Sequence, residues 1–339
     1  MAEAARRPTI KEVAQLAQVS PMTVSRTLSG GVNVRPDVQE KVFAAVEELG
    51  YYRNENARSI RPGHTSGLIG VAITNIANPY YSTFALGVEE QAALTGRRML
   101  LGNTSEDAGH EAALIDDFLG RRVEGLVVVP TGSEDASLTR ATRQGVPVVL
   151  ASRRIEGLDV DSVVLDDAGG AHAGTTALIE AGHTHIGFLG NSRSIFTGAR
   201  RHDGFARALA DHHLSPDLVR AGQQTADEAT AAMRDLLALE TPPTAVFCAN
   251  NRNSIGALRE IGRQLRAGGV SRDQLPELMS FDSFELAELS PVPLSIIDHD
   301  PQELGRAATK LLLARLHPDT RDAPVQEIEL PVELKLRAL

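Results

Sequence analysis

Residues 9–28 read TIKEVAQLAQVSPMTVSRTL, two short helical patterns separated by a break at Val-Ser-Pro. Thr9 and Glu12 have the spacing of a capping box, in which each side chain satisfies a free amide at a helix start. Apolar residues then recur every three or four positions, as on the buried side of a short helix. Ser20 is a good N-cap, and Pro21 suits the first position of the second helix. The stretch therefore predicts two short helices joined by a tight turn.

A third, amphipathic helix is predicted over residues 36–49, ending at Gly50. Three small helices in this order form a helix-turn-helix, whose second helix fits the major groove of B-DNA. In that groove an arginine can bond guanine and a methionine can meet a thymine methyl. The side chains predicted to face outward from the second helix are those of Met22, Thr23, Ser25 and Arg26. A three-helix interaction module that touches no DNA is the alternative.

The composition is that of a globular α/β protein, with 42% hydrophobic and 4% aromatic residues among 339. Residues 1–64 contain nine Lys/Arg and seven Asp/Glu, giving +2, whereas the remainder has 25 against 37, giving −12. This division permits a small DNA-facing segment on an acidic body. The lone Cys248 excludes an intramolecular disulfide framework and predicts a buried thiol. No secretory apolar region or run of about 18 apolar residues is present, which predicts a cytoplasmic protein.

From Leu68 onward, short apolar runs alternate with helical segments. Runs of this kind are strands of parallel sheets buried on both faces. The rhythm pauses after residue 152 and begins again near residue 162, which predicts two lobes. The predicted fold class is α/β, with an all-α helix-turn-helix headpiece and a two-lobed core with parallel sheets. Two such lobes enclose a cleft, where a small ligand usually binds.

Three segments resemble the headpiece and hinge of the LacI/GalR family of bacterial transcription regulators: TIKEVAQLAQVSPMTVSRTLSG, KVFAAVEELGYYRN and NENARSI. The remainder, beginning GLIGVAITNIANPYYSTFALGVEEQA, resembles that family's core, which is like a periplasmic binding protein. The resemblance implies a headpiece, a hinge helix with its linker, and a core, at residues 1–53, 54–65 and 66–339. The expected N-lobe comprises about 66–165 and 295–323, and the expected C-lobe about 166–294 and 324–339. A helix at 301–316 and a final pair of strands near the end complete the prediction.

The resemblance implies an operator-binding surface on the headpiece and hinge. Residues expected to contact DNA are Thr9, Ser20, Pro21, Met22, Thr23, Ser25, Arg26, Asn33, Tyr51, Asn54, Ala57 and Ile60. In the family the hinge helix folds on the operator and wedges an apolar side chain into the minor groove, where Ile60 replaces the usual leucine. Gln18 stands where glycine is usual in the turn, and Arg35 where a serine cap is usual. Both departures predict a slightly less stable headpiece.

The resemblance also implies a ligand site in the cleft. Residues expected to bind the effector are Tyr80, Tyr81, Ser152, Arg153, Thr197, Arg201, Thr225, Asn250 and Asp282. Fixed donors and acceptors such as Arg201 and Asp282 suit sugar hydroxyls. For each residue taken alone, a loop residue that bonds its own backbone explains the sequence equally well. Many members have Asp at Ser152, and Asn-Asp where this chain has Asn-Asn-Arg at residues 250–252. The lost acids and added arginine favour a sugar acid or phosphorylated sugar, but Arg252 fits a surface helix residue better.

These features predict a sequence-specific transcription regulator, expected to be a repressor, that binds a near-palindromic double-stranded DNA operator as a homodimer formed through the lobes. A carbohydrate-type effector would close the cleft and shift the hinge helices. No enzymatic activity, cofactor, metal or membrane partner is predicted. The segment GGAHAGTT (169–176) lacks the lysine of a phosphate loop, and the sequences around His183 and His299 lack a third metal ligand. The rival classes, a sugar-binding protein and a sugar-related enzyme of the same two-lobed fold, leave the headpiece unexplained.

Overall fold

The computed structural model describes residues 8–30, 33–52, 65–132, 136–268, 270–285 and 287–337. The chain divides into two compact units, Met1–Ser66 and Gly67–Leu339, one residue beyond the predicted start of the core. The predicted hinge helix, with Asn54, Ala57 and Ile60, lies outside the described residues.

The first unit contains the three predicted helices, α1 (Ile10–Leu16), α2 (Pro21–Leu28) and α3 (Pro36–Leu49). The capping box forms at α1: the Thr9 amide donates to the Glu12 carboxylate at 2.6 Å, and Thr9 Oγ1 accepts from the Glu12 amide at 3.4 Å. At α2, Ser20 Oγ accepts from the Thr23 amide at 3.1 Å, and a proline occupies the first turn. The small core that holds the helices together consists of Val13, Ala14, Ala17, Val24, Val42 and Ala45.

Two positions of this unit have local geometry that their side chains do not favour. Gln18 has a φ of 53°, in the left-handed region that costs a residue with a Cβ more than it costs glycine. Arg35 is the N-cap of α3 but makes no side-chain cap bond, and its guanidinium instead lies 3.3 Å from the Asp37 carboxylate. The predicted lower stability of the headpiece rests on these two features.

The second unit contains two six-stranded sheets. Strands of the first are β1 (Leu68–Ile73), β2 (Arg98–Asn103), β3 (Gly125–Val128), β4 (Val148–Ala151), β5 (Asp161–Leu165) and β11 (Glu327–Leu330). Their order is β11-β5-β4-β3-β1-β2, and every neighbouring pair is parallel. Four helices accompany this sheet: α4 (Pro79–Ala93), α5 (Ala108–Gly120), α6 (Ala136–Arg143) and α11 (Pro301–Leu316). The four central strands are thereby buried, as their continuous apolar sequences require, whereas the edge strands β2 and β11 are partly exposed.

The second sheet repeats this arrangement. Its strands are β6 (Ile186–Gly190), β7 (Val219–Ala221), β8 (Ala245–Cys248), β9 (Glu277–Phe281), β10 (Leu294–Asp298) and β12 (Glu333–Lys335), in the order β12-β10-β9-β8-β6-β7. All neighbours are parallel except β10 and β12. Its helices are α7 (Asp167–Glu180), α8 (Phe196–Asp211), α9 (Ala226–Leu237) and α10 (Asn251–Ala267). Cys248 is buried as predicted, and burial raises the pKa of its thiol to about 12.

The end of the chain differs from the prediction. β10 lies in the second sheet, although residues 295–323 are predicted for the N-lobe. The two final strands do not pair with each other, because β11 joins β5 in the first sheet and β12 joins β10 in the second. Residues 324–339 therefore serve both sheets rather than the C-lobe alone. β7 and β10 are not predicted from the sequence. Both strands are short, and periodicity within a short run does not show that the run pairs with other strands.

Two glycines fix the position of α4, whose first turn contributes to the site described below. A Cβ at Gly87 would lie 2.0 Å from the Gln302 carbonyl oxygen, and one at Gly305 would lie 2.2 Å from the Phe84 carbonyl oxygen. α4 and α11 thus touch through their backbones, which any larger side chain at these positions would prevent. Among the described segments, no helix combines the length and apolar character that crossing a membrane requires.

Candidate effector cleft and DNA-facing helix

A cleft opens in the second unit where the carboxyl ends of strands from both sheets meet. Its walls follow β1, β2 and β4 of the first sheet and β6, β7, β8 and β9 of the second. The space between its atoms measures about 650 Å³, including the part open to solvent. Ligands of open α/β sheets bind at this edge, where loops leave the strands.

Eight of the nine predicted effector residues line this cleft. They are Tyr80, Tyr81, Ser152, Arg153, Thr197, Arg201, Asn250 and Asp282. Thr225 is the exception, because it caps α9 in a capping box with Glu228, and its neighbour Gln224 faces the cleft instead. Thr225 therefore has a structural role as a helix cap, which was the alternative to ligand binding.

Nine further residues line the cleft without having been predicted to bind there. They are Thr74, Asn75, Asn78, Glu106, Asn191, Ile195, Gln224, Asn251 and Arg252. Most are polar and follow a strand directly, which is a signal that could have identified them. The preference for Arg252 as a surface helix residue is wrong, since the first turn of α10 faces the cleft and Arg252 is half-buried there.

Arg201 forms the centre of a buried charge cluster. Its Nε donates to Asp167 Oδ1 at 2.7 Å, and its Nη1 donates to the Ala249 carbonyl oxygen at 2.6 Å. Nη2 lies 3.4 Å from Asp282 Oδ1, and the guanidinium carbon sits 3.7 Å from the centre of the Phe281 ring. These contacts fix the guanidinium plane before any ligand arrives.

The cluster holds one cation between two acids. Burial opposes the charge of Arg201, but the carboxylates of Asp282 and Asp167 outweigh that effect and raise the pKa of the guanidinium. Burial raises the pKa of the Asp167 carboxyl group to about 6. The neighbouring Arg201 opposes this rise but does not cancel it. The cluster is thus short of positive charge, and hydrogen-bond donors would be favoured near Asp282.

Two cleft residues have strained backbones. Asp282 has a φ of 71° and Ser152 a φ of 64°, both in the left-handed region that non-glycine residues seldom occupy. Asp282 Oδ1 is buried and accepts no hydrogen bond within the described residues. Residues held in this way cluster at binding sites, where the strain serves to aim a side chain.

Arg153 is held by a different acid. Its two terminal nitrogens each lie 2.7 Å from one carboxylate oxygen of Glu106, and Nη1 also donates to the Pro130 carbonyl oxygen at 2.9 Å. The cleft is therefore less positive at this point than the loss of an acid at Ser152 suggests. Glu106 supplies the compensating charge from the loop after β2.

One contact joins the two walls directly. Asn78 Nδ2 donates to Asn251 Oδ1 at 3.3 Å, and Asn251 Nδ2 donates back to Asn78 Oδ1 at 2.8 Å. Asn78 begins α4 beside the first sheet, and Asn251 begins α10 beside the second. The reciprocal amide bonds are buried and join the two lobes directly across the cleft.

The two histidine segments considered for metal binding have other surroundings. His183 contacts Thr244 at 2.9 Å and Glu277 at 3.3 Å. His299 is enclosed rather than in the predicted solvated turn, with its ring 5.6 Å from that of Tyr80, and burial lowers its pKa. Within the described ranges, no group of three or more His, Cys, Asp or Glu side chains could hold a metal ion.

In the first unit, α2 presents the predicted outward face. Met22 is 63% exposed, Arg26 is also exposed, and Thr23 and Ser25 are half-buried, whereas Val24 on the opposite side is fully buried. No acidic side chain of the described headpiece pairs with Arg26. The face therefore presents an arginine and a methionine to solvent, with two half-buried hydroxyl side chains, of which Thr23 contacts the Ser20 hydroxyl at 2.9 Å.

The other predicted DNA contacts occupy several environments. Thr9 and Ser20 use their side chains in helix caps, and Pro21 is exposed beside Ser20. Asn33 is exposed with a φ of 66°, and Tyr51 packs against the small core.

A helix-turn-helix unit followed by a two-lobed ligand-binding core defines a class of transcription regulators. Residues 9–54 match the family described as "Bacterial regulatory proteins, lacI family", and residues 66–335 match "Periplasmic binding proteins and sugar binding domain of LacI family". The chain belongs to the LacI family.

Known relatives agree with this assignment. The maltose regulon regulatory protein MalI of Escherichia coli is 32% identical, with 93% of this chain and 95% of the relative covered. Catabolite control protein A of Priestia megaterium is 29% identical over 97% of this chain and 98% of its own. A solved structure described as a transcriptional regulator CelR–cellobiose complex has a TM-score of 0.72, 28% identity, and coverage of 98% of this chain and 99% of its own.

The predicted fold class and family are therefore confirmed. The protein is a LacI-family transcriptional repressor with a sugar-binding domain. Members of this family regulate transcription and are not enzymes, so the enzyme alternative is excluded.

Proposed function

We propose that the protein binds a near-palindromic operator as a homodimer and that a carbohydrate effector in the cleft controls this binding. The observation that carries the proposal is Asp282 Oδ1 in the cleft wall, which lies 3.4 Å from Arg201 Nη2 but accepts no hydrogen bond from any described residue. In the same chain, α2 presents a free arginine on a helix-turn-helix.

The effector chemistry follows from the hydrogen-bonding groups of the cleft. A sugar hydroxyl can donate to Asp282 and accept from a neighbouring nitrogen, which satisfies the carboxylate oxygen that lacks a donor. A ligand without hydroxyls would leave this buried acceptor unpaired at a cost of about 1–3 kcal/mol. The similar CelR structure is described as bound to cellobiose, which supports a carbohydrate.

DNA recognition is assigned to the exposed face of α2. Arg26 can bond the two acceptors of guanine in the major groove, and Met22 can meet a thymine methyl. Thr23 and Ser25 can bond phosphate or base edges, which positions the helix. The proposed minor-groove contacts of Asn54, Ala57 and Ile60 fall outside the described residues.

A dimer would present α2 twice, so the operator would contain two inverted half-sites. Three large apolar side chains in or beside α4 are candidates for the contact between copies. Ile76 precedes the helix, Leu86 lies within it and Leu94 follows it, and each is more than half exposed. A second copy that covers these side chains would remove their apolar surface from water.

Effector control would act through the spacing of the lobes. The buried Asn78–Asn251 bridge joins the two lobes, and a ligand that changes the distance between these residues shifts the balance of lobe arrangements. That shift would pass through the linker to the headpiece. Coupling of this kind typically changes operator affinity by about 1–3 kcal/mol.

Selection of bound duplexes from random DNA tests the operator, and its repetition with a panel of sugars tests the effector. We expect an inverted repeat from the full chain, a sedimentation coefficient of a dimer, and a change in bound fraction with at least one sugar. The Arg201→Ala variant should select the same repeat without responding to sugar. Binding with no preference over bulk genomic DNA would contradict the operator assignment, and a monomer would contradict the dimer.

A further inference from the structure

Arg252 differs from the other two arginines of the cleft. Arg153 is paired with Glu106, and Arg201 lies between Asp167 and Asp282. Arg252 is half-buried, its Nε is shielded from solvent without a hydrogen-bond partner, and no carboxylate of the described residues pairs with it. Arg252 is therefore the one arginine in the described cleft wall that forms no ion pair with a described acid.

The surroundings of Arg252 also favour negative charge. Arg252 stands in the first turn of α10, a 17-residue helix whose N-cap, Asn250, lines the cleft. The first turn contains no acidic residue, so the positive end of the helix dipole is not offset there. Asn191 and Gln224 line the same wall and supply neutral polar groups rather than acids.

We infer that the effector carries an anionic group, a carboxylate or a phosphate, which pairs with Arg252. This inference rests on the proposed function, because it assigns the charge of the same carbohydrate ligand whose hydroxyls would meet Asp282. A guanidinium donates two parallel hydrogen bonds to either anion, and Nε is one of the donors suited to this geometry. A neutral sugar hydroxyl can accept one hydrogen bond from Nε, but it leaves the guanidinium charge without a counter-charge.

The decisive measurement is isothermal titration of the full-length protein with neutral sugars and their anionic derivatives. The probes are glucose, glucuronate and glucose 6-phosphate, galactose and galacturonate, ribose and ribose 5-phosphate, and cellobiose and cellobionate. We expect an anionic member to bind at least 10-fold more tightly than its neutral counterpart, in line with a charged hydrogen bond. Comparing acids with phosphates identifies which anion the site takes.

Three variants locate the effect. Arg252→Gln should reduce affinity for the anionic sugar about 10- to 100-fold while changing affinity for its neutral counterpart less than threefold. Arg252→Lys should retain part of the preference, because it keeps the charge but not the planar fork. Arg266→Gln is the matched control, since it removes one charge from an exposed position of the same helix, and it should bind like the wild type.

The possible failures are distinguishable. One result would overturn the inference and leave the proposed function standing: a neutral sugar binds most tightly, and its affinity is the same for the wild type and Arg252→Gln. Anion binding that persists in Arg252→Gln would place the anion elsewhere and would also overturn it. The carbohydrate assignment requires at least one sugar that binds the wild type and does not bind Arg201→Ala. If no sugar in the panel behaves in this way, that assignment fails and the inference fails with it. Circular dichroism establishes that each variant is folded.

Discussion

The two candidate sites of this protein use charge in opposite ways. On α2 the candidate DNA-contacting side chains lie on one short helix, where Met22 and Arg26 are exposed, and Arg26 has no acidic partner in the described headpiece. In the cleft, Arg201 is buried and bonded to Asp167, 34 residues earlier, and also lies beside Asp282, 81 residues later. An exposed arginine can change without disturbing the fold, whereas a buried and shared one supports folding and binding together.

Arg201→Ala should give the largest effect. Removing the cation leaves Asp167 and Asp282 buried without compensation, which typically costs about 3–5 kcal/mol. Urea denaturation of the second unit should show this loss, and titration with the effector should show no binding. At urea concentrations below its lowered unfolding midpoint, the Arg201→Ala variant should still bind its operator.

The neighbouring Arg200→Ala variant provides the control, because Arg200 is exposed on the same helix. Its stability should stay within about 0.5 kcal/mol of wild type. If Arg201→Ala were as stable as Arg200→Ala, the buried cluster would not contribute as described.

Arg26→Ala should reverse the pattern. Loss of a bidentate base contact should weaken operator binding by roughly 1–3 kcal/mol and relax the preference at one base position. Because the side chain is exposed, folding stability should change by no more than about 0.5 kcal/mol. Fluorescence anisotropy on single-base operator variants measures both effects.

Lys41→Ala, at an exposed position of α3, removes the same charge without altering the face of α2. It should leave the base preference intact. An unchanged preference in Arg26→Ala as well would remove Arg26 from base recognition.

Arg35→Ser tests the local stability of the headpiece. A serine at this N-cap can bond a free amide at the start of α3, which the arginine side chain does not do. We expect a gain of about 1 kcal/mol in the protection of α3 amides, measured by native-state hydrogen exchange. Arg35→Ala offers no cap and should give no such gain.

Gln18→Gly should have the smallest effect. Glycine removes a left-handed steric cost of about 1–2 kcal/mol but adds about 0.5–1 kcal/mol of chain entropy to the unfolded state. The net gain in headpiece stability should therefore be at most about 1 kcal/mol, detectable by hydrogen exchange in α1 and α2. Gln18→Ala keeps the Cβ at a φ of 53° and should not reproduce the gain.

Local signals explain why prediction succeeded in the headpiece. The capping box of Thr9 and Glu12, the Ser20 cap and the bounds of α3 all depend on residues within a few positions of each other. Cleft residues were found mainly through family resemblance, and Thr225 shows its limit. A threonine that begins a helix and a threonine that meets a ligand have the same sequence signature.

By itself the sequence determined the three headpiece helices, the alternation of buried strands and helices, and the family. Tertiary structure alone decided that β11 and β12 join different sheets, that Glu106 pairs with Arg153, and that Arg252 lines the cleft without an ion-pair partner among the described residues. The physical reason is range: periodicity and capping act within one or two helical turns. Strand partners and ion pairs depend on distances between distant segments that only folding sets.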